Sequence, residues 1–262
     1  MEITDPALEL ATVCRCLMVQ TDERGDEFLG KQFGVEPWSF MFFKIVFSIV
    51  ERAERVGNII EESQVDPMVK EAVLGHVGGI KTAFSRSSMA TKWGAGGNIH
   101  LLSHVPPLLT MSPEIRRIVS YPRPSVEEIE VAAADVRELL VWLRKHQLEE
   151  KDGIRVCLIE GLENLLLRIE KLGWLGWNET AQALRDVVGA YLAMERGFPE
   201  PELFPIAQAT IAKIYGAVTR IYQAIGVTKE VADRGNLLLS IYGAWHLVQE
   251  NGVAGYIGSL SK

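Results

Sequence analysis

The sequence predicts an all-α protein of about eight helices packed as a multi-helix bundle. Three observations carry that expectation. Apolar residues recur at i, i+3 and i+4, as in Val46, Ile49, Val50, Ala53, Val56 and Ile60, the stripe that one buried helix face requires. Start and stop residues stand where helices should begin and end. No stretch of useful length alternates apolar and polar residues as a half-buried strand would, and no repeat of fixed period occurs.

Asp5-Pro6 opens a first helix reaching about Gln20, with proline where its missing N–H costs nothing. TDERGDEF interrupts it, and a solvated loop is expected over residues 25–32. A long second helix is expected from near Pro37 to about Glu62, and a third from Asp66-Pro67 that fades over the glycines at 75–79. Ser125 and Glu128 have capping-box spacing ahead of a helix to about Gln147. Further helices are expected over residues 153–172, with Gly173 as terminator, and from Asn178 to Gly197. A stiff FPEPELFP connector then leads to helices over residues 206–225 and 228–250. Short loops favour antiparallel neighbours. The chain thus divides into a helical region 1–71, a Gly/Ser/Pro-rich connector 72–124 of irregular structure that is acid-free up to residue 113, and a helical bundle 125–262, unless the three form one continuous domain.

With 262 residues, 48% of them apolar, the chain can bury a sizeable core. A net charge of −7 argues against general nucleic-acid binding, which needs a concentrated basic surface. The opening MEITDPALEL lacks the apolar run of a secretory leader. Cys14, Cys16 and Cys157 have neither metal-finger nor disulfide-framework spacing, so a reducing, cytoplasmic location is expected, with the C-x-C pair as buried small side chains. The most apolar stretch, residues 37–50, is broken by Lys44 and falls short of the ~20 residues of a constitutive membrane span.

The familiar catalytic signatures H-E-x-x-H, E-x-x-H and G-x-S-x-G are absent, and no cofactor is implied. GDEFLGKQ, residues 25–32, has the G-x4-G-K spacing of a phosphate loop. Gln32 stands where Ser or Thr should hold magnesium, two carboxylates occupy the loop, and no strand precedes it. His146 reads as a cation in a last helical turn, His246 as a satisfied inner-face histidine, and Trp174 and Trp177 as packing at a helix corner.

Three groups keep functional content. Residues 72–113 contain no Asp or Glu, yet hold Lys81, Arg86, Lys92 and six glycines. With Gly94, Gly96 and Gly97 these cations could receive an anion on backbone N–H groups, form a mobile hinge, contact an acidic partner, or dock on the protein's own acidic surface. His100 and His104, four apart, share a helix face at metal-chelating separation, with His76 as a third ligand. Against a metal, Pro106-Pro107 should end that helix and no carboxylate or thiolate is near. Trp38, Phe40, Phe42, Phe43 and Phe47 point all around their helix, as a central core, a partner interface or a lipid-inserting face.

The expected function is that of a non-enzymatic interaction or regulatory protein, binding a partner protein or forming a homo-oligomer. Two alternatives stay open. One is a soluble effector that engages membranes through residues 37–50 and the Gly-rich segment. The other is a metal- or anion-dependent enzyme built around His76, His100 and His104.

Overall fold

Asp5 starts the fold as the sequence predicts. Its carboxylate caps helix α1 (Pro6–Leu17) by accepting from the N–H groups of Ala7 and Leu8. The computed structural model describes residues 2–146, 152–197 and 212–217. Among these residues the protein is all-α, with eleven α-helices rather than about eight. The surplus comes from short helices in stretches expected to be irregular. The FPEPELFP connector, the last long helix and His246 lie outside the described residues.

Residues 25–32 belong to a helix, α2 (Gly25–Phe33), and do not form the expected solvated loop. Phe28, Leu29 and Phe33 are buried, and Gly34 closes the helix with φ 65°. Helix α3 (Phe40–Glu62) starts three residues after Pro37, because Ser39 is extended and caps the Phe42 N–H. Helix α4 (Pro67–Ala83), capped by Asp66, continues through the glycines where it was expected to fade. A short α5 (Arg86–Ala90) and a 3-10 turn (Trp93–Ala95) lead into α6 (Gly97–Thr110).

Helix α6 runs through Pro106 and Pro107, which were expected to stop it. The carbonyls that thereby lose their i→i−4 donors belong to Leu102 and Ser103, both exposed, so the loss falls where water replaces the bond. Helix α7 (Ser112–Ile118) follows. A three-residue ribbon pairs β1 (Glu2–Thr4) with β2 (Tyr121–Arg123), antiparallel, and is too short to show a strand pattern.

Helix α8 (Val126–Lys145) begins with the predicted capping box of Ser125 and Glu128. It packs on α9 (Asp152–Glu170), which packs on α11 (Trp177–Gly197). Between them lies the single turn α10 (Leu172–Leu175), and the left-handed break is Gly176, φ 82°, rather than Gly173. Residues 212–217 are helical, and Ile214 and Ala217 join the core of α8, α9 and α11.

The buried apolar residues form two clusters. The first runs from Ala7 to Ile115 and takes in Leu175; the second runs from Tyr121 to Ala217. Residues 73–115, including the fully buried Trp93, are therefore part of the first core. The LGWLGW corner joins the two cores. Trp174 meets Phe33 edge-on at 4.9 Å, the Lys171 ammonium donates to the Phe33 carbonyl at 3.1 Å, and Trp177 packs in the second core.

Candidate functional site

The five aromatics at the start of α3 divide by helical geometry. Phe42 is fully buried, whereas Phe40, Phe43 and Phe47, at i, i+3 and i+7, share the opposite face. Phe40 is 81% exposed, Phe47 60%, Trp38 39% and Phe43 36%, so four of the five leave the core expected for them. Three of them form a continuous ridge: Trp38 lies 5.8 Å from Phe43, which stacks on Phe47 at 6.2 Å and 26°.

Trp38 holds this ridge by a strained backbone. Its φ of 62° is left-handed, and no other non-glycine residue described has a positive φ. For a bulky residue that conformation costs on the order of 1–3 kcal/mol and needs external support. The indole N–H supplies it by donating to Asp26 Oδ2 at 2.7 Å. Asp26 is itself buried and receives the Arg24 guanidinium and the Glu27 N–H. Burial works to raise its pKa, yet the hydrogen bonds from Arg24, Trp38 and Glu27 together hold the carboxyl below its ordinary 3.8. Glu27, Glu36 and Glu51, all exposed, stand in the segments that carry the ridge.

The acid-free interval faces the protein's own carboxylates. Lys81 pairs with Glu54 of α3 at 2.7 Å, and Lys92 pairs with Asp22 at 2.9 Å; Arg86 is exposed. The Gly94 N–H donates to the Thr21 carbonyl at 2.9 Å and the Gly96 N–H to the Lys92 carbonyl at 3.0 Å, so neither points at an open anion cradle. Gly97 lies against the Trp93 ring, where a Cβ would approach to 2.1 Å.

The three histidines do come together. His76 of α4 and His104 of α6 stand Nδ1 to Nδ1 at 3.1 Å, and His100 lies parallel to His104 within 13° at 6.4 Å between ring centres. Among the described residues no group of three or more His, Cys, Asp or Glu side chains is placed to hold a metal ion. Of the cysteines, Cys14 is buried, which pushes its thiol up to about 12, whereas Cys16 is exposed and departs from the buried reading of the pair.

A fourth site lies where the cores meet. Glu9 accepts from the Trp177 backbone N–H at 2.8 Å and from the Tyr121 hydroxyl at 2.5 Å. Buried Arg52 approaches Glu9 to 3.9 Å and donates to the carbonyls of Ser48 and Trp174. Burial lowers the Arg52 pKa and raises that of Tyr121. A cavity of about 190 Å3 opens beside Glu9, Tyr121 and Trp177.

No family model, no curated protein and no solved structure matches the chain. Among the described residues no helix is long and apolar enough to cross a membrane. Sequence reasoning missed the Arg52 junction, although its signal was present. Arg52 occupies the same buried stripe as Ile45, Ile49 and Val56, at i+7 from Ile45, where an apolar side chain was due. The Trp38–Asp26 bond had no such signal, because it depends on how α2 meets the start of α3.

Proposed function

We propose that the protein is a non-enzymatic helical interaction protein that docks onto a protein partner through the ridge of Trp38, Phe40, Phe43 and Phe47. The observation that supports this reading is the exposure of four aromatics at the start of α3, three of them, Trp38, Phe43 and Phe47, in ring contact along one ridge that begins at a strained residue. From their fractional exposures, and ~200 Å2 for each ring system, they present on the order of 400 Å2 of apolar surface. Patches of that size on monomers are commonly functional, and about 800 Å2 a side makes a standard protein interface. The ridge would therefore form the centre of such a contact, where aromatic anchors carry most of the binding energy.

A photo-crosslinking amino acid at Phe47, introduced into the protein in its native host, tests this. One discrete covalent protein adduct is expected from position 47, absent when the same group replaces exposed Val141 on α8. The adduct's mass then separates a second copy of the chain from another protein. Equal labelling at both positions, or lipid as the main product at Phe47, would remove the proposal.

A further inference from the structure

The contact between His76 and His104 has a second reading. Without an ion, a 3.1 Å Nδ1–Nδ1 approach requires one neutral ring to donate and the other to accept, as opposite tautomers. The same spacing suits two nitrogen ligands on one ion. At bond lengths of ~2.0–2.1 Å and angles between about 95° and 110°, such nitrogens lie roughly 3.0–3.4 Å apart.

The helix crossing is shaped for this imidazole. At Gly79 of α4 a Cβ would stand 2.1 Å from His104 Cδ2 and 2.3 Å from Nε2, so the position facing the ring is bare backbone. Both histidines are part-exposed and reachable from solvent. His100 stands one helical turn before His104. In the present rotamers its ring does not converge with the other two.

We propose that the crossing of α4 and α6 is a binding site for a transition-metal ion of the zinc class, bridged by Nδ1 of His76 and Nδ1 of His104 and completed by His100 and water. Three imidazoles with an open position form a donor set zinc accepts without a carboxylate, which matches a segment that has none. Magnesium, which demands oxygen ligands, is excluded by the same chemistry. The site is independent of the aromatic ridge.

Thermal unfolding of the tag-free, chelator-stripped full chain tests it with Zn2+, Ni2+ and Mg2+. At ~100-fold excess over Kd, Zn2+ and Ni2+ are expected to raise Tm by about 5–10 °C, reversibly with chelator, and Mg2+ to leave it unchanged. His76→Gln and His104→Gln should each abolish the rise; His100→Gln should keep part of it, with roughly ten-fold weaker affinity. No rise with Zn2+ or Ni2+, or a rise that survives both of the first two substitutions, overturns the site. Should a variant fail to fold, Co2+ added to the unsubstituted protein decides. Paramagnetic broadening centred on His76, His100 and His104 supports the assignment, and broadening elsewhere or nowhere refutes it.

Discussion

Gly97→Ala tests whether the glycines following Trp93 serve packing or ligand binding. A methyl group there would stand 2.1 Å from Cζ3 and 2.4 Å from Cη2 of the Trp93 ring. Comfortable carbon contacts lie at about 3.5–4.0 Å, so roughly 1 Å or more of movement is required. The ring has nowhere to go. It is fully buried, its N–H donates to the Leu17 carbonyl at 2.8 Å, and Phe28 and Phe84 lie against it at 5.5 and 6.2 Å. Overpacking of this kind costs about 1–3 kcal/mol, and exchanging a helical glycine for alanine returns at most ~1 kcal/mol. A net loss of about 1–2 kcal/mol follows, or a Tm lower by roughly 2–8 °C. Urea unfolding read by tryptophan fluorescence measures it. Trp93→Leu alone should cost about 2–4 kcal/mol, and the double variant should be about 1–2 kcal/mol more stable than the sum, because the new methyl occupies space the indole vacates. A Gly97→Ala protein within ~0.5 kcal/mol of the unsubstituted one, or a strictly additive cycle, would refute the packing role of Gly97.

Two further outcomes follow from the junction and the ridge. Arg52→Ala removes the donor to the buried Ser48 carbonyl and the part-buried Trp174 carbonyl, together with the cation paired with Glu9, so a loss of about 3 kcal/mol is expected in urea unfolding, with Arg52→Met less damaging because it refills the volume; a loss below ~1 kcal/mol for Arg52→Ala defeats the argument. Asp26 has a depressed folded pKa, so its stabilisation is fully present above 3.8 and lost as pH falls through the lower folded value. The stability gap between the unsubstituted protein and Asp26→Asn, measured from about pH 6 to pH 2.5, should accordingly stay level down to about pH 4 and close below it, and a gap independent of pH contradicts the assignment.

Local signals in the sequence located the helix starts that depend on one side chain. Asp5, Asp66 and Ser125 with Glu128 each cap the helix they announce, because a cap needs only a short side chain and two or three following N–H groups. The misread stretches are those where tertiary contact outweighs propensity. Helix α4 keeps its glycines because one of them seats His104, and α6 keeps two prolines because the carbonyls they leave bare belong to exposed residues. Helix α2 is legible in its apolar spacing, since Phe28, Leu29 and Phe33 fall on one buried face and Gly34 stands as the terminator, although the polar run TDERGDEF across its start reads as a loop.

The candidate sites separate along the same line. Which face of α3 carries each aromatic follows from residue spacing alone, since Phe40, Phe43 and Phe47 repeat at i, i+3 and i+7 while Phe42 falls between them. What covers each face does not follow, because burial of Phe42 depends on Phe33 of α2, and exposure of the others depends on no element among the described residues crossing above them. The acid-free interval makes the point from the other side. Its missing carboxylates are Glu54, 27 residues before Lys81, and Asp22, 70 residues before Lys92, pairings that only the fold brings within reach. The basic interval is thus neutralised largely within the chain, whereas the aromatic ridge has no such internal partner among the described residues. The left-handed backbone at Trp38 is supported by a buried carboxylate, and an indole so held beside three solvent-facing phenylalanines is the feature on which the proposed docking surface rests.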